Sequence, residues 1–320
     1  MNPYIGHDTQ YYGVEEHRLV GGKGDGMRIF EVNNGNGLEL TIVPDRCGDI
    51  YRLKYKGINL NYMSPCGYVT PAYYCKEWLP TFTAGFLTTC GLDNVGVPCE
   101  ENGEKFEQHG AIANRPCEHA YWTEDEEYLT VHTLVKDETL FGRKLRMERT
   151  IRVSKKENEF TISDKIVNTG DTVEPIQIMY HMNMGYPLLD EDSVVQIPAE
   201  EFEPRDAEAA DGAEDRLKMQ KPTPNYKEKC YFYKFRHKDG MASIYQPKKD
   251  IGLSIHFDTE SQDCFTEWKM MGVRDYVLGL ECGNCYPDGR VVTREKGLLK
   301  SLNPGESKIY EVTVKCFSEK

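Results

Sequence analysis

Three stretches of the chain place side chains able to move protons beside residues that bend or stop the backbone. They are Gln108-His109-Gly110, the run Tyr180-His181-Met182-Asn183-Met184-Gly185-Tyr186-Pro187, and Gly279-Leu280-Glu281 continuing to Tyr286-Pro287-Asp288-Gly289-Arg290. Imidazoles and a carboxylate are the ingredients of general acid–base catalysis, in which one group accepts a proton and another supplies one. Each stretch alone has a plain structural explanation. His109 before a glycine suits a turn, His181 after the apolar run IQIMY suits a core, and Glu281 after YVLGL suits a strand returning to solvent. The combination carries more than any one of them.

The segments that must position these residues read as strands. Residues 38–43 (LELTIV) are apolar and β-branched, and Pro44 closes them. From Leu129 to Asn168 the alternation is sustained, with Leu129, Val131, Thr133 and Val135, then Met147, Arg149, Ile151 and Val153, then Phe160, Ile162, Asp164 and Ile166 each sharing a face. Polar turn material, KDETLFGR and SKKENE, separates these runs, as in an antiparallel meander. Further strands are expected at Met241, Gly252, Tyr276 and near the C-terminus, and a short helical piece around Tyr73–Leu79. The expected fold is all-β, a large antiparallel β-sandwich in a single domain over 1–320, with an N-terminal extension over 1–25. A surface excursion is expected over 200–229, where Glu, Asp, Pro and Lys dominate.

A net charge of −13 without a Lys/Arg cluster argues against a nucleic-acid partner. No apolar run approaches the ~20 residues of a membrane-spanning helix, and the N-terminus lacks the basic and apolar regions of a signal peptide. A cytoplasmic protein is expected. The 11 cysteines are too sparse for a disulfide scaffold, and Cys282 and Cys285 read as buried thiols at a strand end. A homodimer is allowed, although nothing in the sequence decides the oligomeric state.

The order of the motifs resembles that of the aldose 1-epimerase, or galactose mutarotase-like, superfamily: a His-Gly element (His109-Gly110), a mid-chain His element (His181 with Asn183) and a late Glu followed by Pro-Asp (Glu281 with Pro287-Asp288). DRCGDIYRLKYKG, FLTTCGLDNVG, YHMNMGYPLL and ECGNCYPDGR place it nearest a less characterised branch, and the resemblance spans roughly residues 38 to 315. It implies a sugar as the small-molecule partner, Glu281 as general base on the anomeric hydroxyl, His181 as general acid on the ring oxygen, and His109 as a sugar-binding residue. The sequence departs from the better-known epimerases upstream of His109, where TTCGLDNVG replaces a loop containing Asn-Arg, and after Glu281, where Cys-Gly follows.

The chemistry fits the residue types. Opening a hemiacetal ring removes one proton and delivers another, which a carboxylate and an imidazolium near its ordinary pKa of ~6.5 can do without cofactor or metal. Arg46 and Asp49, in a turn past a strand end, are expected either to bind sugar hydroxyls or to pair with each other at the surface. Trp268, one of 3 tryptophans, is expected either to stack on the sugar or to pack in the core. Two further readings are a sugar-binding protein without turnover and a metal-dependent isomerase of the cupin kind. The latter lacks its H-x-H strand here.

Overall fold

The computed structural model describes residues 3–319. Five strands, Gly13–Arg18, Arg28–Asn33, Leu38–Val43, Asp49–Tyr55 and Ile58–Asn59, form a meander in which each pairs antiparallel with the next. A second sheet runs edge to edge through Val194–Gln196, Asp239–Gln246, Ile251–Asp258, Ser307–Phe317, Glu159–Asn168, Lys144–Ser154, Tyr128–Glu138 and His119–Glu124. Its middle strands are the alternating runs of the sequence, and their apolar positions face the core.

The third sheet bears on function. Its order is Glu201–Pro204, Lys229–Lys234, Cys264–Met271, Tyr276–Gly283, Glu174–Met184 and Lys300–Leu302, and Leu87–Leu92 also pairs with the Glu174–Met184 strand. Both of its faces are covered, so Tyr276–Gly283 is buried at every position. Tyr180, Met182, Leu278, Leu280 and Phe265 point into the main core, a cluster that spans all three large sheets. Because strand side chains alternate, Met179, His181, Glu281, Thr266 and Trp268 lie on the opposite face. There Trp78, Phe82, Ala84 and Val95, from the connections before and after Leu87–Leu92, cover the sheet.

A buried polar cluster backs this arrangement. Arg149 donates to both oxygens of Asp164 at 2.8 Å, to Asp49 at 2.9 Å and to the Thr89 hydroxyl at 2.7 Å, while the Tyr180 hydroxyl donates to Asp164 at 2.8 Å. A charge this deep is tolerable only when paired and hydrogen-bonded. The helix expected at Tyr73–Leu79 is corrected: Pro71 and Pro80 start two separate 3-10 turns, Pro71–Tyr73 and Leu79–Thr81, and Lys76 between them is left-handed at φ 61°. The excursion contributes an edge strand, Glu201–Pro204, and a helical turn, Ala207–Ala210. Cys282 and Cys285 are buried free thiols.

Candidate active site

His181 and Glu281 are direct cross-strand partners in the antiparallel register of Glu174–Met184 and Tyr276–Gly283. On the same face of neighbouring strands, their ends meet: His181 Nε2 lies 3.2 Å from Glu281 Oε1. The contact is close but not aligned as a hydrogen bond, and Oε1 has no hydrogen-bond partner. Room for the carboxylate comes from Gly279, two residues earlier on that face. A methyl group there would fall 2.3 Å from Oε1 and push it aside.

The pair forms the floor of a cavity of about 170 Å3 walled by Trp78, Phe82, Trp268, His109, Arg205 and Glu228. Phe82 and Trp268 approach the His181 ring at 5.3 and 5.2 Å between centroids, and His109 approaches it at 5.8 Å. A larger open groove, of about 560 Å3, lies by Lys218, Lys227 and Lys269. It holds neither histidine, and those lysines are engaged by Asp215, Glu208 and backbone carbonyls. The smaller cavity, which holds both histidines and Glu281, is therefore the candidate site.

His109 owes its position to a left-handed backbone at φ 56°. Its N–H donates to Gly96 O and its carbonyl accepts from Gly91 N–H, each at 2.9 Å. Gly110 follows at φ +69°, where an added Cβ would fall 2.2 Å from Gly91 O, so the His-Gly pair is a steric requirement of this loop. The Gly96 N–H also donates to His109 Nδ1 at 3.3 Å, which puts the proton of the neutral ring on Nε2.

Burial governs protonation here. Desolvation lowers the pKa of His109 to about 4 and, helped by the neighbouring His109, that of His181 to about 3. Asn183 acts in the opposite sense on His181. Desolvation pushes the Glu281 carboxyl well above its ordinary range, and Glu228 adds to that rise. The expected imidazolium near its ordinary pKa is thus corrected: burial favours a protonated Glu281 beside a neutral His181.

The remaining sequence candidates separate. Trp268 lines the cavity, and its indole N–H donates to Glu228 at 2.8 Å. Asn183, two residues along the same strand face as His181, donates to the His181 carbonyl at 3.0 Å and does not line the cavity. Arg46 is buried on the Val69 and Thr81 carbonyls at 3.0 and 3.1 Å, and Asp49 accepts from Thr89 and Arg149. Neither lines the cavity, and they form no surface pair with each other.

Arg205 and Glu228 are cavity residues that sequence reasoning missed. Both come from the excursion and are joined at 3.1 Å, and Arg205 also lies 3.0 Å from Cys230 Sγ. Among polar, charged neighbours nothing singled them out. Trp78 and Phe82 were likewise visible only as aromatic residues between prolines.

The family described as "Domain of unknown function (DUF4432)" matches residues 24–316. The chain belongs to that family. No curated protein matches this DUF4432 member. Among solved structures it is similar to a protein from Klebsiella pneumoniae, itself only provisionally described as an aldose 1-epimerase, with 25% identity, a TM-score of 0.90, and 97% of this chain and 86% of that one covered. A galactose mutarotase-like protein from Clostridium acetobutylicum gives 14% identity and 0.69 over 97% and 99%. The galactose 1-epimerase of Lactobacillus acidophilus gives 13% and 0.66 over 97% and 100%. The fold is that of the galactose mutarotase-like proteins.

Proposed function

We propose that this protein interconverts the anomers of a free sugar, as an aldose 1-epimerase does, with Glu281 and His181 exchanging the protons. The observation that carries the reading is the 3.2 Å approach of Nε2 to Oε1 at the floor of an aromatic-walled cavity. Aromatic walls suit the apolar faces of a pyranose, and an acid–base pair suits its hemiacetal.

Burial leaves the pair one proton, on Glu281. Moving it to His181 gives carboxylate and imidazolium with no change in proton count. The carboxylate then takes the proton of the anomeric hydroxyl, the C1–O1 bond becomes a carbonyl, the C1–O5 bond breaks, and the imidazolium protonates O5. Glu281 is again protonated and His181 again neutral, so ring opening ends in the protonation state that burial favours. Rotation about C1–C2 and reversal of these steps yields the other anomer. In this reading His109, donating through Nε2, holds a sugar oxygen.

The test is anomer exchange across a panel of aldoses, followed by NMR. The wild-type protein should accelerate exchange for at least one sugar. Glu281→Gln should lower that acceleration by at least ~10²-fold while changing affinity little, because an amide keeps the shape but cannot accept the proton. Normal turnover by that variant overturns the assignment, and binding without acceleration by the wild type would leave a sugar-binding protein.

A further inference from the structure

Two strands, not one, flank the Glu281 strand, and the second presents an unused polar group to the same cavity. Thr266, on Cys264–Met271, is the direct cross-strand partner of Glu281 on the side opposite His181. Its side chain lines the cavity, it is 1% exposed, and its hydroxyl has no hydrogen-bond partner. A buried hydroxyl left unpaired is costly, so a hydroxyl in this position is poised for a polar atom of a bound ligand.

His181, Glu281 and Thr266 therefore stand in one row across three adjacent strands, spaced at about 4.8 Å per strand. The covalent order of a pyranose maps onto this row. The anomeric carbon is bonded to the ring oxygen on one side and to carbon 2 on the other. With Glu281 at the anomeric hydroxyl and His181 toward the ring oxygen, the remaining neighbour faces Thr266. On the next strand Thr266 is paired with Phe232, which is buried and stacked on Tyr286 at 4.7 Å between centroids. The row ends at this ring, while Arg205, Glu228 and Cys230 line the cavity beside Thr266.

We propose that Thr266 reads the substituent at carbon 2 and that the substrate is an aldose with a free hydroxyl there, not a 2-deoxy sugar. This rests on the assignment of Glu281 and His181 made above. The Thr266 hydroxyl exchanges a hydrogen bond with the carbon-2 hydroxyl in both anomers and in the open chain, so it holds the sugar while C1 changes configuration.

Glucose, galactose and their 2-deoxy counterparts are the probes. Anomer exchange is measured for each sugar relative to its own uncatalysed rate, and binding is measured by calorimetry. The wild-type protein should prefer a 2-hydroxy sugar over its 2-deoxy counterpart by roughly 10- to 100-fold in kcat/KM. Thr266→Val should bring that ratio close to one by lowering the 2-hydroxy value, and Thr266→Ser should keep most of the preference. A Thr266→Val ratio unchanged from wild type overturns the proposal while leaving the epimerase reading intact. So does a wild type indifferent to carbon 2, a result that needs no variant to fold. If the wild type binds sugars without accelerating exchange, the epimerase reading fails and the same ratios, taken in Kd, decide the role of Thr266. If no sugar in the panel binds, both fall.

Discussion

Glu281 is a buried carboxyl group whose charge is costly in place, and this has a measurable consequence for stability. In the unfolded chain it titrates near its ordinary value of 4.5, whereas in the folded protein it keeps its proton to much higher pH. Between those two values the folded state binds more protons than the unfolded state, so stability falls as pH rises through that window. Glu281→Gln removes this penalty. The variant should therefore match the wild type at pH 4 and below and become more stable above it, by about 1.4 kcal/mol per pH unit until the folded carboxyl itself ionises. Thermal midpoints taken from pH 4 to pH 8 check this. Parallel curves would mean that the carboxylate is solvated. The histidines slope the other way: His109, lowered to about 4, favours the folded state fully above its ordinary 6.5 and loses that contribution as pH falls toward 4.

At the scale of elements, the strands are held in place from behind the cavity. Arg149, from Lys144–Ser154, ties Asp49, Thr89 and Asp164 together, and Tyr180, which immediately precedes His181, joins through Asp164. Arg149→Met leaves two buried carboxylates without their cation. It should cost about 3–5 kcal/mol, seen as a lowered denaturation midpoint in urea. A loss below 1 kcal/mol would show that the carboxylates find protons or water instead. The sequence exposed these strands because Arg149 and Asp164 sit at inward positions of otherwise apolar alternations, and the pattern survives two polar members. The same logic brought out His181 and Glu281, whose strands end in the motifs that contain them. It failed for Arg205 and Glu228, because a solvated face and a cavity rim have the same composition. It failed for Arg46 and Asp49 because a turn residue's direction depends on what packs over it, here the 64–86 connection and the Arg149 cluster.

For the whole molecule, one apolar cluster runs through the three large sheets, from Val14 to Cys316. Separate units would each need their own interior. A single cooperative unfolding transition is expected, with fluorescence and far-UV circular dichroism changing together and the calorimetric enthalpy equal to the van't Hoff value. Two resolved transitions would divide the chain into domains. The excursion belongs to this unit through Lys269, whose ammonium donates to the carbonyls of Lys218, Arg216 and Asp215 at 2.6, 3.0 and 3.3 Å. Trp268 and Glu228 then meet across the same join.

The residue pair at the floor is set by a hydrogen-bonded seam between strands a hundred positions apart in the chain, His181 opposite Glu281. Slipping that seam by one position would turn one of the two side chains inward, because successive residues of a strand point to opposite sides. Under the proposed function, turnover is then a readout of correct zippering: misregistered copies are silent, and the specific activity of a preparation counts the molecules that closed the seam in the one alignment that works.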